Sequence, residues 1–241
     1  MRCGSMACCH RRLPEAEGTV VITRPLAPAD TRPQVMKVDL KEVLAQPGRL
    51  LSPGRWNKPQ VREVTVGDHP VILKDWRTMA RWLRPLARHL ARREARIYGL
   101  LQHLESVPRV LQVGDRTLVL EQVPGRRISR LRGHRAAATA AQALEEIVAR
   151  IHAAGVYHFD MRKRDNILVT DEGKVYLIDF TTSVAPRHYG PLGWLLRPVA
   201  ALVDRYAVLK WKNALAPEVL STSERRLLRG LDRLRPWRKN N

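Results

Sequence analysis

Three polar side chains in the middle of the chain have the types and spacing of a cation site. Asp160 and Asn166 lie in the segment YHFDMRKRDN, and Asp179 follows the apolar stretch KVYLI. The stretches ILV and KVYLI predict two strands joined by the turn Asp171-Glu172-Gly173, which would bring Asp179 back beside the other two side chains. Two carboxylates and an amide suit Mg²⁺ bound together with phosphate oxygens. The alternative is that all three are ordinary turn and cap residues.

A second pair of charged residues stands nearer the N-terminus. Lys74 ends the apolar run VILK, and Glu94 falls on the apolar stripe of a helix predicted over residues 86–104. A carboxylate that faces a core is costly unless it is paired, and Lys74 has the opposite charge. The alternative is that Glu94 lies at the edge of the stripe and reaches water.

The elements that must position these residues fall into two groups. Strand pairs are predicted around Gly67-Asp68 and Gly114-Asp115, with the helix 86–104 between them. After Pro124-Gly125 the pattern becomes helical, first over 136–154 and later, beyond the hairpin, from Pro191 onward. We therefore predict an α+β fold with a β-rich N-terminal lobe and an α-rich C-terminal lobe.

The domain boundaries follow from the same patterns. Residues 1–35 are polar and without periodicity, which predicts a disordered tail or a true start at Met36. Residues 36–123 would form the N-lobe, and 124–241 the C-lobe with basic C-terminal helices. All the cysteines lie in the tail, which suits a reducing compartment. A metal site of Cys3, Cys8, Cys9 and His10 is the weaker alternative, because its ligands are too closely spaced.

Composition narrows the class of protein. Of 241 residues, 44% are hydrophobic, which excludes global disorder. The 43 Lys and Arg against 23 Asp and Glu give a net charge of +20, which attracts nucleic acid, anionic lipid or phosphorylated glycolipid. An Arg-rich surface without such a partner is the plain alternative. The sequence has no recognisable signal peptide and no stretch long and apolar enough to span a membrane. We therefore predict a cytoplasmic protein, either free or peripheral at the inner face of the cytoplasmic membrane.

The ordered set of motifs resembles the protein-kinase fold. The set comprises VILK, a helical Glu, LVLEQV, a His-x-Asp triplet with a downstream Asn, and Asp-Phe after a strand. The chain is short and is more similar to RIO-type kinases and to lipopolysaccharide core kinases of the Kdo kinase type than to full-length kinases. The resemblance covers about residues 50 to 185.

The resemblance implies a nucleotide site for ATP between the lobes. Lys74 would hold the α- and β-phosphates and be oriented by Glu94. Glu121 and Val123 would offer backbone groups to the adenine, and Leu120 would border the base pocket.

It also implies the roles of Asp160, Asn166 and Asp179. Asp160 would accept the proton of the attacking hydroxyl, while Asn166 and Asp179 would hold Mg²⁺ against the phosphates. Asp160 and Asn166 are six positions apart where the family pattern has five. Either Arg162 or Lys163 would therefore contact the γ-phosphate, and the sequence leaves the choice open.

Other departures from the family pattern bear on control and substrate. Phe159 replaces the Arg of the His-x-Asp triplet, so control by activation-loop phosphorylation is not expected. Thr181 follows Asp-Phe where Gly is usual, and the segment 181–193 is short for a peptide platform. Residues 53–58 precede the first predicted strand and would cover the phosphates, although Gly54 is their only glycine.

The charge distribution suggests the acceptor. Basic residues surround the predicted site, namely Arg126, Arg127, Arg130, Arg132, Arg135, Arg162, Lys163 and Arg164. They favour an anionic acceptor, for which we predict the hydroxyl of an envelope glycolipid or sugar. Trp194, Leu195, Leu196 and the basic C-terminal run would contact an anionic membrane. One alternative is a RIO-like Ser/Thr protein kinase in contact with RNA or the ribosome; another is a non-catalytic pseudokinase module. The oligomeric state is left open.

Overall fold

The structure is a computed structural model that describes residues 38–55 and 58–233, except for the side chains of residues 188, 189, 191 and 192. The predicted tail 1–35, the start at Met36 and the cysteine cluster lie outside the described residues.

The N-terminal lobe is built on an antiparallel sheet of five strands in the order β1-β2-β3-β5-β4. A short helix α1 precedes the sheet. The bounds are Leu40–Ala45 for α1, Gly48–Ser52 for β1, Gln60–Val66 for β2, His69–Asp75 for β3, Val110–Val113 for β4 and Thr117–Glu121 for β5. Alternating valines and leucines on β2 and β3, among them Val64, Val71 and Leu73, are buried against Val43 of α1.

The helix α2, Arg84–Leu101, packs on this sheet. Pro85 lies in the first turn of α2. The backbone N–H that proline lacks would have no acceptor within the helix at this position, so its absence does not destabilise the helix. The buried face carries Ala87, Ala91 and Ala95, whose small side chains allow a close approach. Glu94 lies on that same face, so the helix directs a carboxylate into the interior.

Up to residue 233, where the described part ends, the C-terminal lobe combines a three-stranded sheet with three α-helices. Its bounds are Arg126–Arg127 for β6, His134–Ala153 for α3, Ile167–Val169 for β7, Val175–Leu177 for β8, Gly190–Leu215 for α4 and Thr222–Arg233 for α5. One hydrophobic core extends through both lobes and includes Trp76 and Leu118 as well as Leu144 and Ile167. The predicted α+β fold with two lobes is confirmed.

Two of the described strands, β1 and the two-residue β6, were not predicted from the sequence. β1 pairs with β2, but its Leu50 and Leu51 are about half exposed and give no alternating pattern. The segment 53–58 therefore connects the first strand to the second, and the prediction that it precedes the first strand was wrong. The predicted lobe boundary at 123/124 stays a prediction; it lies between the end of β5 and the start of β6. No helix among the described residues has both the length and the apolarity to cross a membrane.

Candidate functional site

Lys74 lies at the centre of a buried ion cluster. Its ammonium donates to Glu94 Oε1 at 2.5 Å and to Asp179 Oδ1 at 2.8 Å. Lys74 is 5% exposed and Glu94 1% exposed, so this contact is made away from water. β3, α2 and the segment after β8 thus each contribute one charged group. The structure brings together residues that are 105 positions apart in sequence.

The electrostatics of the cluster favour the charged forms of Lys74 and Asp179. Burial opposes the charged form of Lys74, but the carboxylates of Glu94 and Asp179 outweigh it and raise the pKa of the ammonium well above its usual value. Burial also opposes ionisation of Asp179, yet Lys74, Thr181 and Lys163 hold the pKa of that carboxyl far below its usual range. Burial raises the pKa of Glu94. Asp179 is therefore a carboxylate at neutral pH.

Thr181 adds a hydroxyl to this cluster. Its Oγ1 lies 2.6 Å from Asp179 Oδ1, 2.9 Å from Glu94 Oε2 and 3.3 Å from Lys74 Nζ. The single hydroxyl proton of Thr181 is shared between the carboxylates of Asp179 and Glu94, while the hydroxyl oxygen accepts a hydrogen bond from the ammonium of Lys74. A glycine at this position would leave Asp179 without that link, so the departure from the kinase pattern has a structural consequence.

Two residues of the site have left-handed backbone conformations. Phe159 has φ 66° and Asp179 has φ 62°. Such conformations are costly for residues other than glycine and persist only where the surroundings impose them. Here Asp204 of α4 imposes one of them, because its carboxylate accepts from the backbone N–H of Phe159 at 2.8 Å and from that of His158 at 2.7 Å.

His158 links the loop to the residues around Asp179. Its Nε2 is 3.1 Å from the carbonyl of Ile178, and its Nδ1 is 3.3 Å from the backbone N–H of Asp160. These partners require Nε2 to donate and Nδ1 to accept, which is the neutral tautomer. Burial lowers the pKa of His158. The ring also packs on Phe180 at a centroid distance of 4.7 Å, and Tyr98 contacts Phe180 at 5.1 Å.

The loop 160–166 presents the remaining predicted residues. Lys163 Nζ contacts Asp160 Oδ2. The amide of Asn166 donates to the backbone carbonyl of Asp160 at 3.0 Å, which directs its nitrogen into the loop. Trp211 of α4 donates to the carbonyl of Met161 at 2.7 Å. The longer loop is therefore held by its own polar groups and by α4.

The structure separates the two basic candidates of this loop. Arg162 lies over the ring of Tyr206, with its guanidinium carbon 5.8 Å from the ring centroid. Lys163 contacts Asp160 and also helps to lower the pKa of Asp179. Lys163 is thus the basic residue beside both carboxylates.

The residues predicted to contact the adenine lie at the end of β5 and just after it. Leu120 and Val123 are buried. The N–H of Glu121 donates to the carbonyl of Arg109 at 2.9 Å, and its carboxylate accepts from the N–H of Arg109 at 3.1 Å. Of its backbone groups, the carbonyl is the one that Glu121 would offer to a base.

Several positioning residues were missed by the sequence analysis. They are Arg93, Thr181, Asp204 and Trp211. Arg93 of α2 donates to the carbonyls of Thr181 and Ser183 and so joins that helix to the segment after Asp179. Asp204 had a readable signal, because a carboxylate stands among apolar neighbours in the sequence AALVDRYAVL.

The donors fit a magnesium ion that is bound with phosphates. The described residues contain no group of three or more His, Cys, Asp or Glu able to hold a metal ion by themselves. Asp179 supplies one ionised carboxylate and Asn166 one amide oxygen, and Mg²⁺ sites of this kind are completed by phosphate oxygens and water. The predicted metal residues are therefore a partial ligand set.

A comparison with known protein families gives one match. Residues 73–214 match the family model described as RIO1, RIO domain. The chain belongs to the RIO domain family. The match begins within β3, just before Lys74, and ends near the end of α4, so the RIO domain contains all the residues of the ion cluster and of the loop.

One solved structure shares the fold of this RIO domain. The Rio2 kinase from Chaetomium thermophilum has a TM-score of 0.55 and 17% identity, covering 73% of this chain and 60% of that chain. A Rio2 kinase-ADP/Mg²⁺-phosphoaspartate complex from the same organism has a TM-score of 0.48 and 16% identity, covering 75% and 69%. The chain thus spans 60% of the first of these kinases. No curated protein sequence matches it.

Proposed function

We propose that this RIO domain transfers the γ-phosphate of ATP to a hydroxyl group, with Mg²⁺ as cofactor. The observation that carries the proposal is the contact of Lys74 with Glu94 at 2.5 Å and with Asp179 at 2.8 Å. A buried ammonium held between two carboxylates from different elements is expensive to build, and it presents a fixed positive charge to phosphate oxygens. Kinase sites are built in this way.

Some residues of the site bind the nucleotide, and others take part in the transfer of the phosphate. Lys74, oriented by Glu94, binds the α- and β-phosphates. Asp160 holds the acceptor hydroxyl and takes its proton as the new bond from the acceptor oxygen to phosphorus forms and the bond to the β-phosphate oxygen breaks, releasing ADP. Lys163 lies beside Asp160 and neutralises charge on the group in transit.

Mg²⁺ would be held by Asp179 and Asn166 together with the phosphates. It supplies charge neutralisation of the phosphate oxygens. Thr181 fixes the carboxylate of Asp179, and the backbone carbonyl of Glu121 with the N–H of Val123 would bind the adenine.

The acceptor is proposed to be a serine or threonine hydroxyl of a protein. Family membership supports this alternative better than it supports the glycolipid acceptor that the charge distribution favoured. An RNA or ribosomal contact would use the same basic surface. The glycolipid or sugar remains the second candidate, favoured by Arg126 and Arg127, which are both exposed on β6.

A transfer assay with γ-labelled ATP and Mg²⁺ tests both statements. A total cell extract serves as acceptor and is then separated into protein and lipid fractions. Label is expected in protein. Label in the lipid fraction alone would move the assignment to the glycolipid acceptor, and absence of both turnover and nucleotide binding would leave the non-catalytic module.

Matched variants connect the activity to the site. Asp160→Asn and Lys74→Met are expected to reduce turnover by about 100-fold or more, because each removes a group at the reacting phosphate. Asp165→Asn in the same loop and Lys174→Met near β8 remove exposed charges of the same types and should leave turnover unchanged. Equal turnover in all four variants would contradict the proposal.

A further inference from the structure

The exposed side of α2 carries a regular row of arginines. Its members follow one another at intervals of four residues and are all exposed, namely Arg84, Arg88, Arg92 and Arg96. Each interval advances about 6 Å along the helix and turns about 40° around it, so the row follows one side of α2 for about 18 Å. We call these four residues the arginine row.

A large aromatic side chain stands at the N-terminal end of the arginine row. Trp82 lies in the turn just before α2 and is 76% exposed, the highest value among the large apolar side chains that the structure describes. Leu86, in the first turn of the helix, is 38% exposed. The core of the chain therefore makes little use of this indole, whose flat face is free to contact a partner.

The positive charge of the arginine row is only partly balanced. Residues 81–96 contain six arginines and one acidic residue, Glu94, which is buried and bonded to Lys74. Asp115, in the turn between β4 and β5, lies 2.8 Å from Arg88 and 3.8 Å from Arg92. The two end members of the row have no acidic partner among the described residues.

The other acidic groups near α2 have partners of their own. The helix packs on β4, on β5 and on the turns 76–78 and 180–182. The remaining carboxylates of these elements, or directly before them, are each bonded elsewhere, namely Asp75 to Arg77, Glu121 to the backbone of Arg109 and Asp179 to Lys74. The row thus presents a net positive charge to solvent.

A single-stranded nucleic acid is complementary to this surface. Its backbone carries one negative charge per nucleotide, and arginine binds phosphate through parallel N–H groups. Its unpaired bases leave flat faces free to stack on an exposed indole, whereas a duplex keeps its bases stacked on one another. A bilayer would require a broad apolar face, and the exposed side of α2 is mostly basic.

We propose that the arginine row and Trp82 bind a single strand of nucleic acid. The phosphates lie along the row, and one base stacks on the indole. Glu94 and Arg96 point about 160° apart around the helix, so the strand binds on the side of α2 that faces away from the ion cluster. This binding surface is separate from the site of the proposed phosphate transfer.

Fluorescence anisotropy of labelled oligonucleotides with the full chain tests this proposal. The probes are a short single-stranded RNA, the single-stranded DNA of the same sequence and the corresponding RNA duplex, and the arms with RNA and DNA distinguish the two sources of a single strand. We expect Trp82→Ala to weaken the binding of a single strand about fivefold or more, because one stacked base is lost. The same variant should leave the binding of the duplex unchanged.

Two triple variants separate the arginine row from the general charge of the chain. One replaces three members of the row by glutamine and the matched control replaces three exposed arginines of α5, namely Arg84→Gln/Arg92→Gln/Arg96→Gln and Arg226→Gln/Arg229→Gln/Arg233→Gln. The first should bind a single strand about tenfold or more weakly, and its slope of log affinity against log salt should fall by about 2, since each phosphate contact contributes about 0.7. The control should keep the slope of the wild type.

Several results would overturn the proposal. They are failure of the wild type to bind a single strand, equal losses in the two triple variants, and unchanged binding by Trp82→Ala. Displacement of the strand by polyglutamate at equal charge, or by vesicles of phosphatidylcholine with phosphatidylglycerol, would also overturn it, because neither competitor has bases to stack. Thermal melts check that the variants fold. Asp160→Asn should bind the strand like the wild type, so the result does not depend on phosphate transfer.

Discussion

The carboxylate of Asp204 accepts a hydrogen bond from the backbone N–H of His158 at 2.7 Å, across 46 positions of sequence. This contact fixes the start of the loop that carries Asp160. It is made in the interior, where neither group has water as a substitute partner.

Asp204→Ala should therefore cost both stability and activity. The variant leaves the buried N–H groups of His158 and Phe159 without an acceptor, and we expect the free energy of unfolding to fall by about 3 kcal/mol or more. Denaturant unfolding measures the loss. Asp204→Asn keeps one acceptor oxygen, so its free energy of unfolding should lie between those of the wild type and the alanine variant. An alanine variant as stable as the wild type would show that the loop is held by other contacts.

Thr181 is expected to act through Asp179. Thr181→Val keeps the shape and removes the hydroxyl, so Asp179 and Glu94 lose a shared donor. We expect the concentration of Mg²⁺ needed for half-maximal turnover to rise about tenfold, from the loss of one charge-assisted hydrogen bond. Thr181→Ser should restore it. An unchanged Mg²⁺ dependence in the valine variant would contradict this role.

The two basic neighbours of the loop should differ in their effects. Lys163→Gln removes the ammonium beside Asp160 and is expected to lower kcat about 10- to 100-fold, while the affinity for ADP changes little, because the group acts on the transferred phosphate. Arg162→Gln is the matched control and should retain near-normal kcat, since its guanidinium lies over Tyr206. A larger loss from Arg162→Gln would reverse the assignment.

The buried neutral His158 predicts a pH dependence of stability. Its folded-state pKa lies below the ordinary value of 6.5. Below that pH the unfolded chain takes up a proton that the folded chain excludes, so the free energy of unfolding falls as the pH drops from 6.5 toward the folded-state pKa. The slope due to this one group is at most about 1.4 kcal/mol per pH unit.

Comparison of urea unfolding at pH 7.5 and 5.5 isolates this effect. His158→Gln retains a donor for the carbonyl of Ile178 and does not titrate, so its stability should depend less on pH than that of the wild type. Identical pH dependences would show that His158 takes up its proton in the folded state.

The sequence was sufficient to predict the strands and helices whose apolar residues follow a regular spacing. β2, β3 and β5 alternate or are wholly apolar, and α2 places its alanines at helical spacing, so each was predicted within a few residues. β1 was missed because an edge strand with Leu50 and Leu51 in water has no such pattern.

The residues of the site likewise divide into those that the sequence identified and those that it did not. Lys74, Glu94 and Asp179 were identified because charge next to apolar sequence is conspicuous. Thr181 acts through contacts with distant elements that neither its residue type nor the local spacing reports. Asp204 stands among apolar neighbours, which marks a buried carboxylate but does not identify its partners. The choice between Arg162 and Lys163 depended on how the longer loop bends, which required coordinates.

The dependence of the loop on α4 also constrains the timing of folding. During translation His158 leaves the ribosome 46 residues before Asp204 does. At about 5–20 residues per second this is a delay of roughly 2–9 s. Once Asp179 has left the ribosome, Lys74, Glu94, Asp160 and Asp179 are all outside it while Asp204 is not, so the loop cannot be held as described above until α4 emerges.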